Sequence, residues 1–171
     1  MKTLYLLRHA EADAGSTLQD GDHARVLTPR GRAEGRDVGR FMKAQGMTPE
    51  FILASDSLRT ISTARLVAEE IFGNVKSPVT SRFDRTLYLA PANTLLDAVH
   101  ALEGKLDRLL LVAHNPGTME LAMTLSGADM LTFEGFPPAT LAVFESSAED
   151  WALVDSTNTR LVTHFTPTYT A

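Results

Sequence analysis

Three short groups of polar residues carry side chains that could hold and attack a phosphoryl group. Arg8 and His9 follow an apolar run near the N-terminus. Ser55 and Arg59 follow a second run, and His114 follows a third. Arginine and histidine donors, together with the amides of a helix N-terminus, are typical of an anion site, for which phosphate is the obvious occupant. A neutral imidazole can also attack phosphorus, so the residue types predict a phosphate site that contains its own nucleophile.

The elements that would position these residues are strands that alternate with helices. Apolar runs at 2–7, 51–54 and 109–113 are typical of buried strands, and 79–83 is a weaker strand pattern. Thr28-Pro29 is typical of a helix start, with the threonine as N-cap and the proline at the first helical position. Further helices are predicted at 58–72, where Ser57 is the N-cap, at 93–102 and at 118–125.

This alternation predicts an α/β fold of three layers, in which helices cover both faces of a mostly parallel sheet. Such folds bind ligands at the carboxyl ends of their strands. Because His9, Ser55 and His114 each follow a predicted strand, we expect them to share one cleft. The last third of the chain predicts short strands at 139–144, 151–155 and 160–164, and residues 1–171 are expected to form a single domain.

Composition and charge argue against several other classes of protein. The 171 residues include no cysteine, which excludes disulfides and a cysteine nucleophile. A net charge of −5 argues against a nucleic-acid partner. No apolar stretch approaches the roughly 18 residues of a membrane span, and no secretory signal is recognisable, so we expect a cytoplasmic protein with no membrane partner. The remaining histidines lack metal-ligand spacing, and we expect no metal or other cofactor.

Three segments resemble the motifs of a known family. They are LRHA at 7–10, SDSLRTISTA at 55–64 and VAHNPG at 112–117. Their order and spacing are similar to those of the histidine phosphatase superfamily, the group that includes the phosphoglycerate mutases. The resemblance implies a phosphoglycerate mutase-like fold and a phosphatase with a covalent phosphohistidine intermediate. It also implies that His9 is the nucleophile and that Arg8, Arg59 and His114 bind the phosphoryl group.

Within that superfamily the chain is most similar to the small SixA-type branch, the phosphohistidine phosphatases. The evidence is its short length, Ala10 where many relatives carry glycine, and the segment DHARVLT at 22–28. The chain also lacks the large insertions with which mutases and acid phosphatases cover their substrates. The branch resemblance implies that the substrate is a phosphohistidine on a partner protein, either a phosphotransfer domain or a phosphocarrier.

Three residues are candidates for the group that transfers a proton during the reaction. The branch resemblance favours Asp22 as this catalytic residue, and the alternatives are Glu11, close to His9 in sequence, and Asp84, after the third predicted strand. Mutase-type relatives use a glutamate after that strand, which this chain lacks. The further candidates for substrate binding are Arg25, Ser55 and Asn115.

Two other functions compete with phosphohistidine hydrolysis. The same site could hydrolyse a small phosphomonoester, or it could bind phosphoproteins without catalysis. A weak general acid favours phosphohistidine, because protonated imidazole leaves readily whereas an alkoxide needs a good proton donor. The presence of His9, His114 and both arginines argues against a site that only binds.

Overall fold

A six-stranded sheet forms the centre of the protein. The computed structural model describes residues 1–14, 21–73, 79–103, 105–127 and 135–168. The strands are β1 (Lys2–Arg8), β2 (Phe51–Ser55), β3 (Thr80–Asp84), β4 (Arg108–Ala113), β5 (Leu141–Ser146) and β6 (Thr159–Phe165), and their order across the sheet is β3-β2-β4-β1-β5-β6. The apolar runs predicted as strands therefore form the centre of this sheet.

The four strands β3, β2, β4 and β1 are parallel, while β5 runs antiparallel to β1 and β6 runs antiparallel to β5. Arg8 pairs in register with Ala113, and Ala54 pairs with Val112. The carboxyl ends of β1, β2 and β4 consequently lie side by side, which brings the residues that follow them to one edge of the sheet. The prediction of a mostly parallel sheet is confirmed.

Four helices begin where the sequence supplies a cap or a proline. They are α1 (Pro29–Ala44), α2 (Leu58–Phe72), α3 (Ala92–His100) and α4 (Gly117–Ser126). The Thr28 hydroxyl accepts the Gly31 N–H at 2.9 Å, and the Ser57 hydroxyl accepts the Thr60 N–H at 3.4 Å. Such caps satisfy amides that have no partner inside the helix. The predicted starts of α1 and α2 are confirmed.

The sheet buries one face under α1 and α2 and the other under α3 and α4. Because side chains alternate along a strand, neighbours in β1 and β4 belong to different cores. Leu6 and Leu111 pack in the core of α3 and α4, whereas Leu7 and Val112 pack in the core of α1 and α2. The three layers predicted from the sequence are confirmed. Within the described ranges, no helix is both long and apolar enough to cross a membrane.

The strand predicted at 151–155 is wrong, because Trp151–Leu153 forms a 3₁₀ turn. The Asp150 carboxylate accepts the Ala152 N–H at 2.9 Å and so stabilises the turn. The Trp151 indole is buried in the core of α3 and α4 and donates to the Leu106 carbonyl at 2.9 Å. Trp151 therefore anchors the connection between β5 and β6 to this core and does not belong to a strand.

Candidate active site

The chemistry-bearing residues meet at the carboxyl edge of the sheet. Arg8 ends β1 and His9 follows it, Ser55 ends β2, and His114 follows β4 directly. Arg59 lies in the first turn of α2, two residues after its N-cap. The side chains of His9, His114 and Arg59 are nearly excluded from solvent. The structure therefore brings together the residues that the three sequence groups predicted to share a cleft.

His9 is held in a defined tautomer by the backbone of the next residue, Ala10. Its Nδ1 lies 2.7 Å from the Ala10 carbonyl oxygen, and since a carbonyl can only accept, Nδ1 carries the proton. Burial, with the nearby Arg59 and Arg8 guanidinium groups, lowers the pKa of His9 to about 4. At neutral pH the ring is thus uncharged, with an unprotonated lone pair on Nε2.

Thr63 fixes the backbone next to His9. Its hydroxyl accepts the Ala10 N–H at 3.0 Å and donates to the Arg59 carbonyl at 2.8 Å. The side chain is fully buried in α2. One threonine therefore links the peptide that orients His9 to the helical turn that carries Arg59.

His114 has one partnered and one unpartnered ring nitrogen. Its Nε2 lies 2.9 Å from the Ser55 hydroxyl, which itself accepts the Ser57 N–H at 3.3 Å. In the tautomer in which the Ser55 hydroxyl donates to Nε2, the neutral ring carries its proton on Nδ1, which is buried without a partner among the described residues. Burial, followed by the proximity of His9 and Arg59, lowers the pKa of His114 to about 3.

Arg8 and Arg59 each have a buried Nε atom that makes no hydrogen bond among the described residues. Arg8 donates from Nη1 to the Phe136 carbonyl at 2.9 Å, and Arg59 donates from Nη1 to the Asp22 carbonyl at 2.7 Å and from Nη2 to Asp22 Oδ2 at 2.9 Å. The Nε atoms of both arginines are buried with no partner in the described ranges. Buried donors without acceptors are rare in native proteins, and a catalytic role or a bound water or ion is among their explanations. Arginine and histidine nitrogens of this kind, with His114 Nδ1 among them, are donors that bind oxyanions.

Asp22 lies at the rim of the cluster as an ionised carboxylate. Tyr88 donates its hydroxyl to Asp22 Oδ2, and Arg25 donates from Nη1 to Oδ1 at 2.9 Å. The Tyr88 hydrogen bond is the largest of the contributions that hold the pKa of Asp22 well below its usual range, followed by that of Arg25. Arg25 also donates from Nε to the Asp13 carbonyl. A carboxylate with these partners accepts hydrogen bonds from cationic side chains and is a poor proton donor.

The other acids and Asn115 have their hydrogen bonds elsewhere. Glu11 accepts the Thr28 hydroxyl at 2.7 Å and so supports the start of α1. Asp84 accepts the Thr86 N–H and hydroxyl, at 2.9 and 2.7 Å. Asn115 also has partners outside the cluster. Its side-chain NH₂ donates to the Phe136 carbonyl at 3.0 Å, and its side-chain oxygen accepts from the Thr118 hydroxyl at 2.6 Å. Ser55 contacts the site through the His114 ring. These contacts are structural, in that none of them joins the side chain to His9.

Two residues to which the sequence assigned no role complete the site. Thr63 lies within the motif at 55–64, but its type alone did not predict that it would hold the backbone next to His9. Tyr88 contacts Asp22 through its hydroxyl and lies edge-on to the His114 ring, with centroids 5.5 Å apart. The available signal is topological: β3 is parallel to β2, so the segment after β3 reaches the same edge of the sheet. In the described parts of the chain, no cluster of three or more histidine and acidic side chains could hold a metal.

Two histidines and two arginines with buried side-chain nitrogens at the carboxyl edge of an α/β sheet are typical of an enzyme site that binds an anion. Residues 4–82 match the model of the histidine phosphatase superfamily (branch 1), the family that the motifs at 7–10 and 55–64 also resemble. A sequence relative, an uncharacterized protein of Mycobacterium tuberculosis, is 28% identical over 158 residues, which cover 87% of this chain and 92% of the relative.

Solved structures share the fold over nearly the whole chain. A candidate phosphohistidine phosphatase, SixA of Agrobacterium tumefaciens, has a TM-score of 0.81 at 24% identity and covers 97% of this chain and 98% of its own. A protein histidine phosphatase SixA complexed with tungstate has a TM-score of 0.74 at 19% identity, with 96% of each chain covered. A mycobacterial glucosyl-3-phosphoglycerate phosphatase in complex with VO3 has a TM-score of 0.62 at 18% identity, over 94% of this chain and 97% of that one. At these identities the likeness establishes the fold, which is phosphoglycerate mutase-like.

Proposed function

We propose that this protein dephosphorylates phosphohistidine on a partner protein and carries the phosphoryl group covalently on Nε2 of His9. The observation that carries the proposal is the set of buried nitrogens without partners among the described residues, namely Arg8 Nε, Arg59 Nε and His114 Nδ1. They accompany a histidine whose Nδ1 proton is committed to the Ala10 carbonyl. Donors for an oxyanion and a nucleophile of fixed tautomer therefore occupy one site.

The reaction takes place in two displacements at phosphorus. First, the lone pair of His9 Nε2 attacks phosphorus while the bond from phosphorus to the substrate nitrogen breaks. The other nitrogen of the substrate ring has taken a proton from solvent, so the bonding pair leaves with a neutral imidazole. Second, a water molecule attacks the phosphorus of phospho-His9 and releases a proton to solvent. The phosphorus–nitrogen electrons return to Nε2, and inorganic phosphate leaves.

The cationic side chains stabilise both displacements. The non-bridging oxygens stay negatively charged throughout, so fixed donors from Arg8 and Arg59 position the group and compensate its charge. An anion beside His114 would favour the protonated ring and oppose the burial that now keeps the pKa of this histidine low. His114 then contributes a charge-assisted hydrogen bond to the bound phosphoryl group.

The state of the rim carboxylate favours phosphohistidine over an alkyl phosphate. Asp22 is the described carboxyl group that contacts Arg59, and its pKa lies well below the usual range, so it holds no proton to donate at neutral pH. An alkoxide leaving group needs such a proton. A phosphohistidine ring takes its proton from solvent on the other ring nitrogen and leaves as neutral imidazole, whose conjugate acid has a pKa of about 6.5, so it needs no proton donor from the enzyme. The SixA likeness of the fold supports the same substrate class.

The test is the release of phosphate from a histidine-phosphorylated protein, measured beside an aryl phosphate and an alkyl phosphate. We expect the phosphohistidine protein to be the preferred substrate and His9→Ala to lose at least about 10³-fold in kcat/KM. His164→Ala is the matched control, since this exposed histidine lies in β6, and it should retain full activity. Release that is independent of His9 would overturn the mechanism.

A small phosphate ester is the second candidate substrate, and the fold shared with a glucosyl-3-phosphoglycerate phosphatase favours it. The same assay separates the two. A higher kcat/KM for the alkyl phosphate than for the phosphohistidine protein would assign the site to small esters, and the proton donor would then have to be sought among other groups.

A further inference from the structure

Tyr88 contacts three members of the phosphoryl site from a separate loop. It follows the 3₁₀ turn Arg85–Leu87, which comes directly after β3. Its hydroxyl donates to Asp22 Oδ2, its ring meets His114 at an interplanar angle of 88°, and the Arg59 guanidinium carbon lies 5.8 Å from its ring centroid. A side chain that touches the carboxylate, a histidine and an arginine of one site can transmit its position to all three.

The backbone around Tyr88 is fixed by packing on both sides. Leu87 is fully buried in the core of α3 and α4. Ala90 approaches α4 so closely that a Cβ on Gly117 would lie 2.0 Å from the Ala90 carbonyl oxygen, which only glycine permits. The Tyr88 N–H also donates to the Arg85 carbonyl at 3.1 Å. The tyrosine is therefore held on a rigid base.

Asp22, by contrast, lies on an exposed turn. It begins the short 3₁₀ turn Asp22–Ala24, and 44% of its side chain is accessible to solvent. Of its partners, Arg25 is only three residues away in sequence and shares the turn, and Arg59 must remain oriented for phosphate. Tyr88 is the neutral partner, and it links Oδ2 to the packed core. Without the Tyr88 hydrogen bond the Asp22 carboxylate is free to rotate, and its hydrogen bond to Arg59 Nη2 would be lost.

We infer, on the basis of the proposed phosphoryl site, that Tyr88 is a positioning residue that acts through Asp22. Its hydroxyl fixes the carboxylate so that both Nη atoms of Arg59 stay bound to Asp22 and the Nε edge faces the phosphoryl group. The same hydrogen bond commits Asp22 as an acceptor, which restricts the site to leaving groups that depart without a proton from the enzyme, such as the imidazole of a phosphoramidate.

The test is a double-mutant cycle read out as the dissociation constant of orthovanadate. Tyr88→Phe removes the hydroxyl and keeps the ring, and we expect it to weaken vanadate binding by roughly 5- to 20-fold. In an Asp22→Ala background the same change should have less than about a 2-fold effect, because the group through which it acts is gone. Tyr5→Phe is the control, a buried tyrosine of β1 outside the site, and it should leave vanadate binding unchanged.

Vanadate binding separates this inference from the proposed function. Coupling between Tyr88 and Asp22 in a protein that hydrolyses no phosphohistidine would support the positioning role and overturn the proposed substrate. An equal effect of Tyr88→Phe in both backgrounds, or none in the wild-type background while thermal unfolding is unchanged, would overturn the role of Tyr88. No binding of vanadate by the wild type would overturn both.

Discussion

The rings of His9 and His114 meet edge to face, with centroids 5.2 Å apart and planes at 61°. Burial is the largest cause that lowers the pKa of His9 to about 4 and that of His114 to about 3. Two charged imidazoles at this distance would repel each other in a medium of low polarity. At neutral pH both rings are therefore uncharged in the free protein, as the proposed roles of His9 as nucleophile and His114 as hydrogen-bond donor to the phosphoryl group require.

The first prediction concerns the acid limb of the pH profile of kcat/KM. In the proposed mechanism His9 attacks only when it is neutral, so activity should fall near pH 4, where His9 gains a proton, and not near the pKa of about 6.5 of free histidine. The measurement is kcat/KM for an aryl phosphate between about pH 3.5 and 8, corrected for ionisation of the substrate. An acid limb near pH 6.5 would show that burial does not control the nucleophile.

The second prediction concerns stability and follows from the same two groups. Their pKa values are lower in the folded than in the unfolded state, so the unfolded chain binds more protons below about pH 6.5. The stabilising contribution is complete above that pH and is lost as the pH falls toward 4. Each histidine should lower the free energy of unfolding by up to about 1.4 kcal/mol per pH unit in this window.

Urea unfolding at several pH values between 7 and 4 checks this slope. Carboxylates contribute to the wild-type slope as well, so the informative quantity is the difference from a His9→Gln/His114→Gln variant. The variant should lose less stability on acidification than the wild type. Equal slopes would mean that neither histidine has a lowered pKa in the folded protein.

Much of the fold was predictable because its signals are local. Apolar runs defined the strands that precede His9 and His114, and the caps Thr28 and Ser57 gave the starts of α1 and α2 as observed. The predicted span 58–72 coincides with α2, Leu58–Phe72. The failure at Trp151 has the opposite cause, since its environment depends on a distant carbonyl at Leu106 that no local pattern reports.

The same distinction explains which parts of the site were found. Arg8, His9, Ser55, Arg59 and His114 each stand at a strand end or a helix start, so strand order alone brings them together. Tyr88 reaches Asp22 across 66 residues of sequence, and nothing in its neighbourhood indicates this contact. The amide of Asn115 is used by the Phe136 carbonyl and the Thr118 hydroxyl, which a motif cannot reveal.

The third prediction is that Ser55→Ala impairs the site through His114. The change removes the 2.9 Å hydrogen bond to Nε2 and leaves both ring nitrogens without protein partners in the described structure. We expect kcat/KM to fall by roughly 10-fold and stability by about 1–2 kcal/mol. Ser81→Ala, at an exposed position of β3, is the control for loss of a hydroxyl. Unchanged kcat/KM in Ser55→Ala would exclude a positioning role for this serine.

The fourth prediction is that lysine cannot replace Arg59. The guanidinium fork binds the Asp22 carbonyl and carboxylate at the same time, from a side chain that is 2% accessible. An ammonium keeps the charge but loses this planar geometry. Arg59→Lys should weaken orthovanadate binding by at least about 10-fold, whereas Arg65→Lys, an exposed position of the same helix, should not. Equal affinities for the two variants would reduce the role of Arg59 to charge alone.

The most direct test of the mechanism is to trap the phosphoenzyme. The protein would be mixed briefly with a labelled phosphoramidate, quenched in alkali, digested and mapped by mass spectrometry, with phosphorus NMR to assign the nitrogen. Because Nδ1 of His9 is committed to the Ala10 carbonyl, we expect an alkali-stable, acid-labile phosphoryl group on Nε2 of His9 and none in His9→Ala. Turnover with no label on His9, or label on His114 instead, would contradict a covalent intermediate at His9.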